Sequence, residues 1–187
     1  TIPETGSVSF RPPYTPVSFG AMAGRSVGPH YRPIRKTPFH QWNEENGAKF
    51  TEVGNWLRAQ WYAAPGETHW RQSVDREVLA VGKSVGFADV STLGKIAVQG
   101  SDAAEFLNKI YTNSIAKLPV GKCRYGLMLR EDGIAYDDGT VARLADDRFL
   151  VTTTTANAAL VYQNMQFALQ CLWPELDVQI QSVTEAW

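Results

Sequence analysis

From residue 120 to residue 144 the chain reads VGKCRYGLMLREDGIAYDDGTVARL, two runs of alternating side chains joined by Asp132-Gly133. A period of two marks a half-buried strand, and an Asp-Gly pair between two such runs is a hairpin signal. A two-residue turn there predicts that Leu127 faces Asp138 and Leu129 faces Tyr136, with Tyr125 diagonal to Asp138 on the same face. Asp146-Asp147 then turns the chain into a third strand over 148–155. That strand brings Thr154 or Thr155 beside Asp138, according to the length of the turn.

Helical periods flank this meander. Val74, Val78, Val81 and Val85 recur at helical spacing, so a helix is predicted over 74–85, capped by Ser73, weakened by Gly82 and ended by Gly86. Strand pieces are expected over 86–90 and 95–98. Asp102 followed by Glu105 opens a helix reaching Tyr111, with Ala103, Phe106, Leu107, Ile110 and Tyr111 as its buried stripe. Asn157 is placed to cap a helix over 158–173, carrying Val161, Met165, Ala168, Leu169 and Leu172 on one side until Pro174 stops it. A last strand is expected over 177–183. Strands and helices interleave without the period of a doubly wound sheet, and no repeat or GxGxxG fingerprint is present, so the fold class is α+β with a mostly antiparallel sheet.

The two adjacent carboxylates of the hairpin must point to opposite faces of their strand. Asp138 shares its row with Ile134, Tyr136, Thr140, Ala142 and Leu144, whereas Asp137 shares its row with Ala135, Gly139, Val141 and Arg143. The first row is the more apolar, so Asp138 is expected to face inward and Asp137 to face water. A buried ionised carboxylate is costly unless paired, which marks Asp138 as a candidate working group with the Tyr125 phenol as partner or pocket wall. Spacing alone also allows an ordinary meander in which both aspartates face water and the threonines are simply good strand formers.

Seven of the ten prolines fall between Pro3 and Pro38, which excludes a regular helix or central strand there. Residues 1–36 are expected to form an extended docking arm, because Phe10, Tyr14, Phe19 and Tyr31 are too apolar for a flexible linker. The globular part is assigned to 37–187, beginning with an irregular aromatic region that carries Trp42, Trp56, Trp61, Tyr62 and Trp70. Starting at Thr1 without a methionine, the chain is expected to be a piece of a longer polypeptide.

With 187 residues and 44% hydrophobic composition the chain can bury a core, and its net charge of −1 gives no broad field toward nucleic acid or an anionic membrane. Arg58, Arg71 and Arg76 in the tryptophan-rich region therefore point to packing against a partner subunit more than to base stacking. No apolar run reaches membrane-span length and no signal sequence is seen, so a cytoplasmic, reducing location is expected. Cys123 and Cys171 lie far apart, and Cys123 is expected to be a buried, inert thiol. His30, His40 and His69 show no shared face, so no metal site is expected and surface or connector positions are assigned to them.

An ordered set of residues resembles a known family: Thr37-Pro38-Phe39, Gly47-Ala48-Lys49, Trp56, Ser84-Val85-Gly86-Phe87, Asp89-Val90-Ser91, Thr112-Asn113 and Tyr136-Asp137-Asp138. The set is similar to the folate-binding domain of the glycine cleavage T-protein, the aminomethyltransferase family, and covers the first half of such a domain. Two positions depart from that pattern: Thr92 stands where a histidine follows Asp-Val-Ser, and Thr152-Thr153-Thr154 where Val-Val-Asn is usual. With the FRPPYTPVSFGAMAGR segment at 10–25, these departures look closer to the alpha subunits of heterotetrameric sarcosine oxidases.

The resemblance implies tetrahydrofolate as the group bound here, with Asp138 as the catalytic carboxylate and Leu93, Tyr125 and Thr154 shaping the pterin pocket. It implies that flavin (FAD, FMN) and NAD are held elsewhere in a complex with other sarcosine oxidase subunits. The one-carbon unit of oxidised sarcosine would be trapped as 5,10-methylenetetrahydrofolate, by a fragment expected to be inactive alone. A glycine-cleavage aminomethyltransferase working with a lipoyl carrier protein, and a non-catalytic docking module, are the alternative readings.

Overall fold

The computed structural model describes residues 18–23 and 34–186, and the chain divides into two units, Thr1–Ile34 and Arg35–Trp187. In the first unit the described residues include a short helix, α1 (Phe19–Ala23). This corrects the exclusion of helix from the proline-rich stretch: FGAMA lies in a window free of proline. Most of the expected docking arm, including Phe10, Tyr14 and Tyr31, lies outside the described residues, as does His30.

The second unit opens with a three-stranded sheet where an irregular aromatic region is expected. Its strands are β1 (Arg35–Lys36), β2 (Ala48–Val53) and β3 (Trp56–Tyr62), in the order β1-β3-β2, with α2 (His40–Glu45) between β1 and β2. The β2–β3 hairpin turns on Gly54 and Asn55, both in the left-handed region. Trp56 is buried beneath the Arg35 guanidinium, which lies 4.1 Å from the ring centroid. The parallel pairing of β1 with β3 is long-range in sequence and escapes local periodicity, whereas the Gly54-Asn55 turn between β2 and β3 is a local signal.

The helix α3 runs Trp70–Lys83, starting earlier than its valine stripe suggests. Its cap is His69, whose Nδ1 accepts from the Arg71 amide while the Gln72 side chain reaches back to the His69 amide. Ser73 is buried in the first turn instead, donating to Glu67 at 2.6 Å. Glu67 also accepts from the Arg76 guanidinium at 2.7 Å and the Ala64 amide at 2.9 Å. Arg76 first, then Ser73 and Ala64, hold the Glu67 carboxyl at about 2, against an ordinary 4.5.

A carboxyl depressed on folding contributes stability above its unfolded value and loses it as pH falls through its folded one. Urea unfolding of the wild type is therefore expected to show a loss between pH 4.5 and about 2 that Glu67→Gln lacks. Parallel pH curves for the two proteins would rule this out.

Val78, Val81 and Val85 are exposed, and 86–90, expected as a strand piece, is a loop. The valine stripe of α3 is thus apolar surface in this unit.

The second sheet has five strands in the order β5-β6-β7-β4-β8, all antiparallel: β4 (Gly94–Gln99), β5 (Cys123–Leu129), β6 (Ala135–Ala145), β7 (Arg148–Thr153) and β8 (Gln179–Ser182). Two helices cover one face, α4 (Ala103–Ile110) and α5 (Ala158–Phe167), the latter running into a π-helical turn at Ala168–Leu172. The core lies between sheet and helices. Phe106, Leu107 and Ile115 meet Ile96, Val98, Met128, Val141, Phe149 and Val151 there, with Val161 and Met165 from α5. Full burial of each large side chain stabilises by about 1.5–3 kcal/mol.

The stripe expected on α4 is the one buried, but the two polar caps are used otherwise. The Asp102 side chain accepts from the Asp177 amide, and Asn157 donates from Nδ2 to the Tyr136 carbonyl and to Asp137.

Candidate functional site

The hairpin register places Leu127 opposite Asp138 and Met128 opposite Asp137 before a bulge shifts Leu129 onto Ala135 instead of Tyr136. Parity then assigns the faces. Val141 pairs with Val151 and Val151 with Ile96, all in the core, so Asp137 and Gly139 share the core row of β6. Asp137 is 5% exposed; Asp138 is half-buried on the opposite, open face. The expected inward and outward assignments of the two aspartates are therefore reversed.

The reason is what packs on each row. The core row is poor in bulk because another side chain fills its space: a Cβ added at Gly126, the partner of Gly139, would sit 2.6 Å from Cδ1 of Tyr111. Asp137 is satisfied there by the segment between β7 and α5. Its Oδ2 accepts the Thr154 amide at 3.1 Å, and its Oδ1 accepts the Thr154 hydroxyl and, at 3.2 Å, the Asn157 side-chain amide. Burial, and after it the Asp137 charge, pushes the Tyr111 phenol well above its ordinary value.

On the open face the Tyr125 hydroxyl donates to Oδ2 of Asp138. Tyr125 is 61% exposed, so the pair stands at the surface of this unit with an aromatic ring beside a carboxylate. The Asp138 hydrogen bond, then desolvation and the Asp138 and Asp137 charges, raise the phenol's pKa above its ordinary 10, keeping it a neutral donor. Among the described residues Oδ1 of Asp138 accepts no hydrogen bond.

Of the other site residues expected from sequence, Leu93 is half-buried one position before β4 and Thr154 one position after β7. Gly94 pairs with Thr153, so both lie just beyond the end of the same ladder. The chain leaves the strand at Thr153, and Thr154 turns its hydroxyl to Asp137 and not to Asp138. Thr155 bonds Thr92 at 3.0 Å, both buried.

Beside Thr140, which the sequence places in the Asp138 row, two polar groups on that face escaped sequence reasoning, Thr152 and Lys95. Thr140 and Thr152 hydrogen-bond each other through their hydroxyls at 2.8 Å, and Lys95 pairs with Thr152. Lys95 donates to the Ser91 carbonyl at 2.7 Å; burial lowers its ammonium pKa, opposed by Asp89. Its signal was a lysine sharing an alternating row with Leu93 and Ala97.

Other expectations are corrected. His40 is buried against Phe50 with ring centroids 4.7 Å apart, and not a surface residue, while Cys123 is exposed because its side chain alternates away from the core row of β5. Among the described residues no cluster of His, Cys, Asp and Glu is placed to hold a metal ion, and no helix is long and apolar enough to cross a membrane.

Comparison with known proteins bears on this geometry. The GCVT N-terminal domain family matches residues 39–187. The chain is 57% identical over 184 residues to the sarcosine oxidase subunit alpha of Rhizobium meliloti, a match covering 98% of this chain and 19% of that protein. It is 53% identical to the sarcosine oxidase subunit alpha of a Corynebacterium strain, covering 97% and 19% respectively. The aminomethyltransferase of Thermotoga neapolitana is 32% identical over 70% of this chain and 33% of its own length. The crystal structure of the glycine cleavage system aminomethyltransferase T from Bartonella henselae superposes with a TM-score of 0.66 at 26% identity, covering 81% of this chain and 38% of that one. The chain thus spans about a fifth of the length of the sarcosine oxidase subunits it matches.

Proposed function

Because the chain belongs to the GCVT N-terminal domain family, we propose that the open face of its five-stranded sheet is one wall of a tetrahydrofolate site in a sarcosine oxidase alpha subunit. The observation that carries this reading is the Asp138–Tyr125 pair, a carboxylate fixed beside an exposed ring on an open sheet face. A reduced pterin has a flat pyrimidine half and is rich in N–H groups, so it suits a face that offers an aromatic surface, a carboxylate acceptor and the Thr140 and Thr152 hydroxyls. When bound, tetrahydrofolate supplies the amines that take up the one-carbon unit of oxidised sarcosine as 5,10-methylenetetrahydrofolate.

Tyr125 occupies Oδ2 of Asp138, which leaves Oδ1 to accept a proton from the bound amines or to balance positive charge there. Since Tyr125 is a neutral donor, it orients the carboxylate without competing for that proton. Leu93 contributes an apolar edge and Thr154 the end of the wall. Groups that close the pocket, the flavins (FAD, FMN), NAD and the partner subunits belong to the rest of the complex in this reading, as does an inactive state of the chain on its own. Identity favours it over an aminomethyltransferase, at 57% against 32%.

Titration of the full-length protein with tetrahydrofolate, followed by intrinsic fluorescence, is expected to show saturable binding. Tyr125→Phe is expected to weaken it by about tenfold or less, the scale of one hydrogen bond and its orientation. Absence of saturable binding by the wild type would overturn the proposal.

A further inference from the structure

The Asp137 carboxylate behind Asp138 has no part in the chemistry just described, yet it is buried and its hydrogen-bond partners among the described residues include no cation. Its three donors come from Thr154 and Asn157 alone, and Asn157 Nδ2 also bonds the Tyr136 carbonyl at 3.2 Å. The segment 154–157 is thereby strapped to β6 at positions 136 and 137.

The backbone does not do this job. Pairing of β6 with β7 ends at Val141 and Val151, and the next amide of β6, that of Thr140, bonds the Thr152 hydroxyl at 2.8 Å. From Thr140 back to Ala135 the β7-side edge of β6 is therefore held by side chains. On its other edge β6 is laddered to β5 through Met128 and Asp137, and past a bulge again at Leu129 and Ala135. Asp137 thus stands at that bulge, beyond the last rung to β7, one residue from the proposed reacting group. A bulged strand whose rungs have ended on one edge is free to shift unless something ties that edge, and a displacement of about 1 Å at a reacting group can cost about a hundredfold in rate.

We propose that Asp137 is a positioning residue: by tying the β7-side edge of β6 to the 154–157 segment at the bulge, it holds Asp138 against Tyr125 in the geometry that one-carbon transfer requires. The inference rests on the assignment of Asp138 above. An asparagine at 137 would turn its own N–H donors on donors, and a hydroxyl-free residue at 154 would remove one tie while leaving the carboxylate and the Thr154 amide in place.

The test is a double-mutant cycle in the full-length enzyme, assayed for methylenetetrahydrofolate formation well below each variant's melting temperature. Asp137→Asn is expected to lower the rate by about ten- to a hundredfold, and Thr154→Val by less, with Thr154→Ser, which keeps the hydroxyl, recovering most of the Thr154→Val loss. In an Asp138→Asn background both losses are expected to vanish, because there is no reacting carboxylate left to misplace, while the fall in melting temperature persists. If the losses multiply with that of Asp138→Asn, or Asp137→Asn retains full rate, the positioning role is wrong. If Asp138→Asn itself retains full rate, the parent reading fails. Should Asp137→Asn not fold, Thr154→Val carries the same cycle.

Discussion

Replacing Asp138 with asparagine in the full-length protein is expected to cut methylenetetrahydrofolate formation by about 10²- to 10⁴-fold, the contribution typical of a positioned acid or base. The change keeps the side chain's shape and the oxygen that accepts the Tyr125 hydroxyl. What it removes is the negative charge and the proton-accepting oxygen. Because Asp138 is half-buried on an open face, stability should barely change, in contrast to Asp137, whose carboxylate is buried and meets three donors. Thermal melting and single-turnover product analysis on the same preparation separate the two effects. Wild-type product yield from Asp138→Asn would remove the carboxylate from the chemistry and with it the proposed use of this face.

How the aspartates came to be assigned to the wrong faces shows what a sequence can carry. The register itself was readable: Asp132-Gly133 is a local signal, and it put Leu127 against Asp138 as found. Which face is buried is not local. Counting apolar residues along β6 weighs that strand's own row, whereas burial depends on what arrives from elsewhere, here the Tyr111 ring over Gly126 and α5 over Val141. The stripe of α4 was legible because its large residues meet a sheet inside the same unit. The valine period of α3 marked its helix as well, although Val78 and Val81 find no such sheet in this unit and stay exposed. In the small sheet of β1, β2 and β3, no turn residue announces the parallel pairing of β1 with β3 some twenty residues on, whereas Gly54-Asn55 between β2 and β3 was a local hairpin signal that went unread.

The site followed the same division: the residue types were readable, and the partners came only with the fold. Tyr125 and Asp138 lie on one face of a predicted hairpin, so their meeting was expected. The strap from Asp137 to Thr154 and Asn157 depends on where β7 stops and α5 begins, a boundary that pattern alone leaves loose by a few residues.

Two glycine-to-alanine changes are expected to move stability in opposite directions, and the contrast tests the packing on which the site stands. A Cβ built on Gly139 would sit 1.9 Å from the Thr152 carbonyl oxygen and 2.8 Å from its carbon. Backbone atoms cannot rotate out of the way, so β6 and β7 must part at the point where the ladder ends. That overpacking should cost about 3 kcal/mol, lowering the melting temperature by roughly 6–12 °C for a chain of this size. Gly82, inside α3, meets nothing within 4 Å of an added Cβ. Alanine there should stabilise by about 0.5–1 kcal/mol, because it narrows the unfolded ensemble and favours the helix. Calorimetry on both variants decides the matter. A Gly139→Ala protein that melts with the wild type would mean that β6 and β7 are not in close contact behind Asp138, and the tie proposed for Asp137 would lose its structural basis as well.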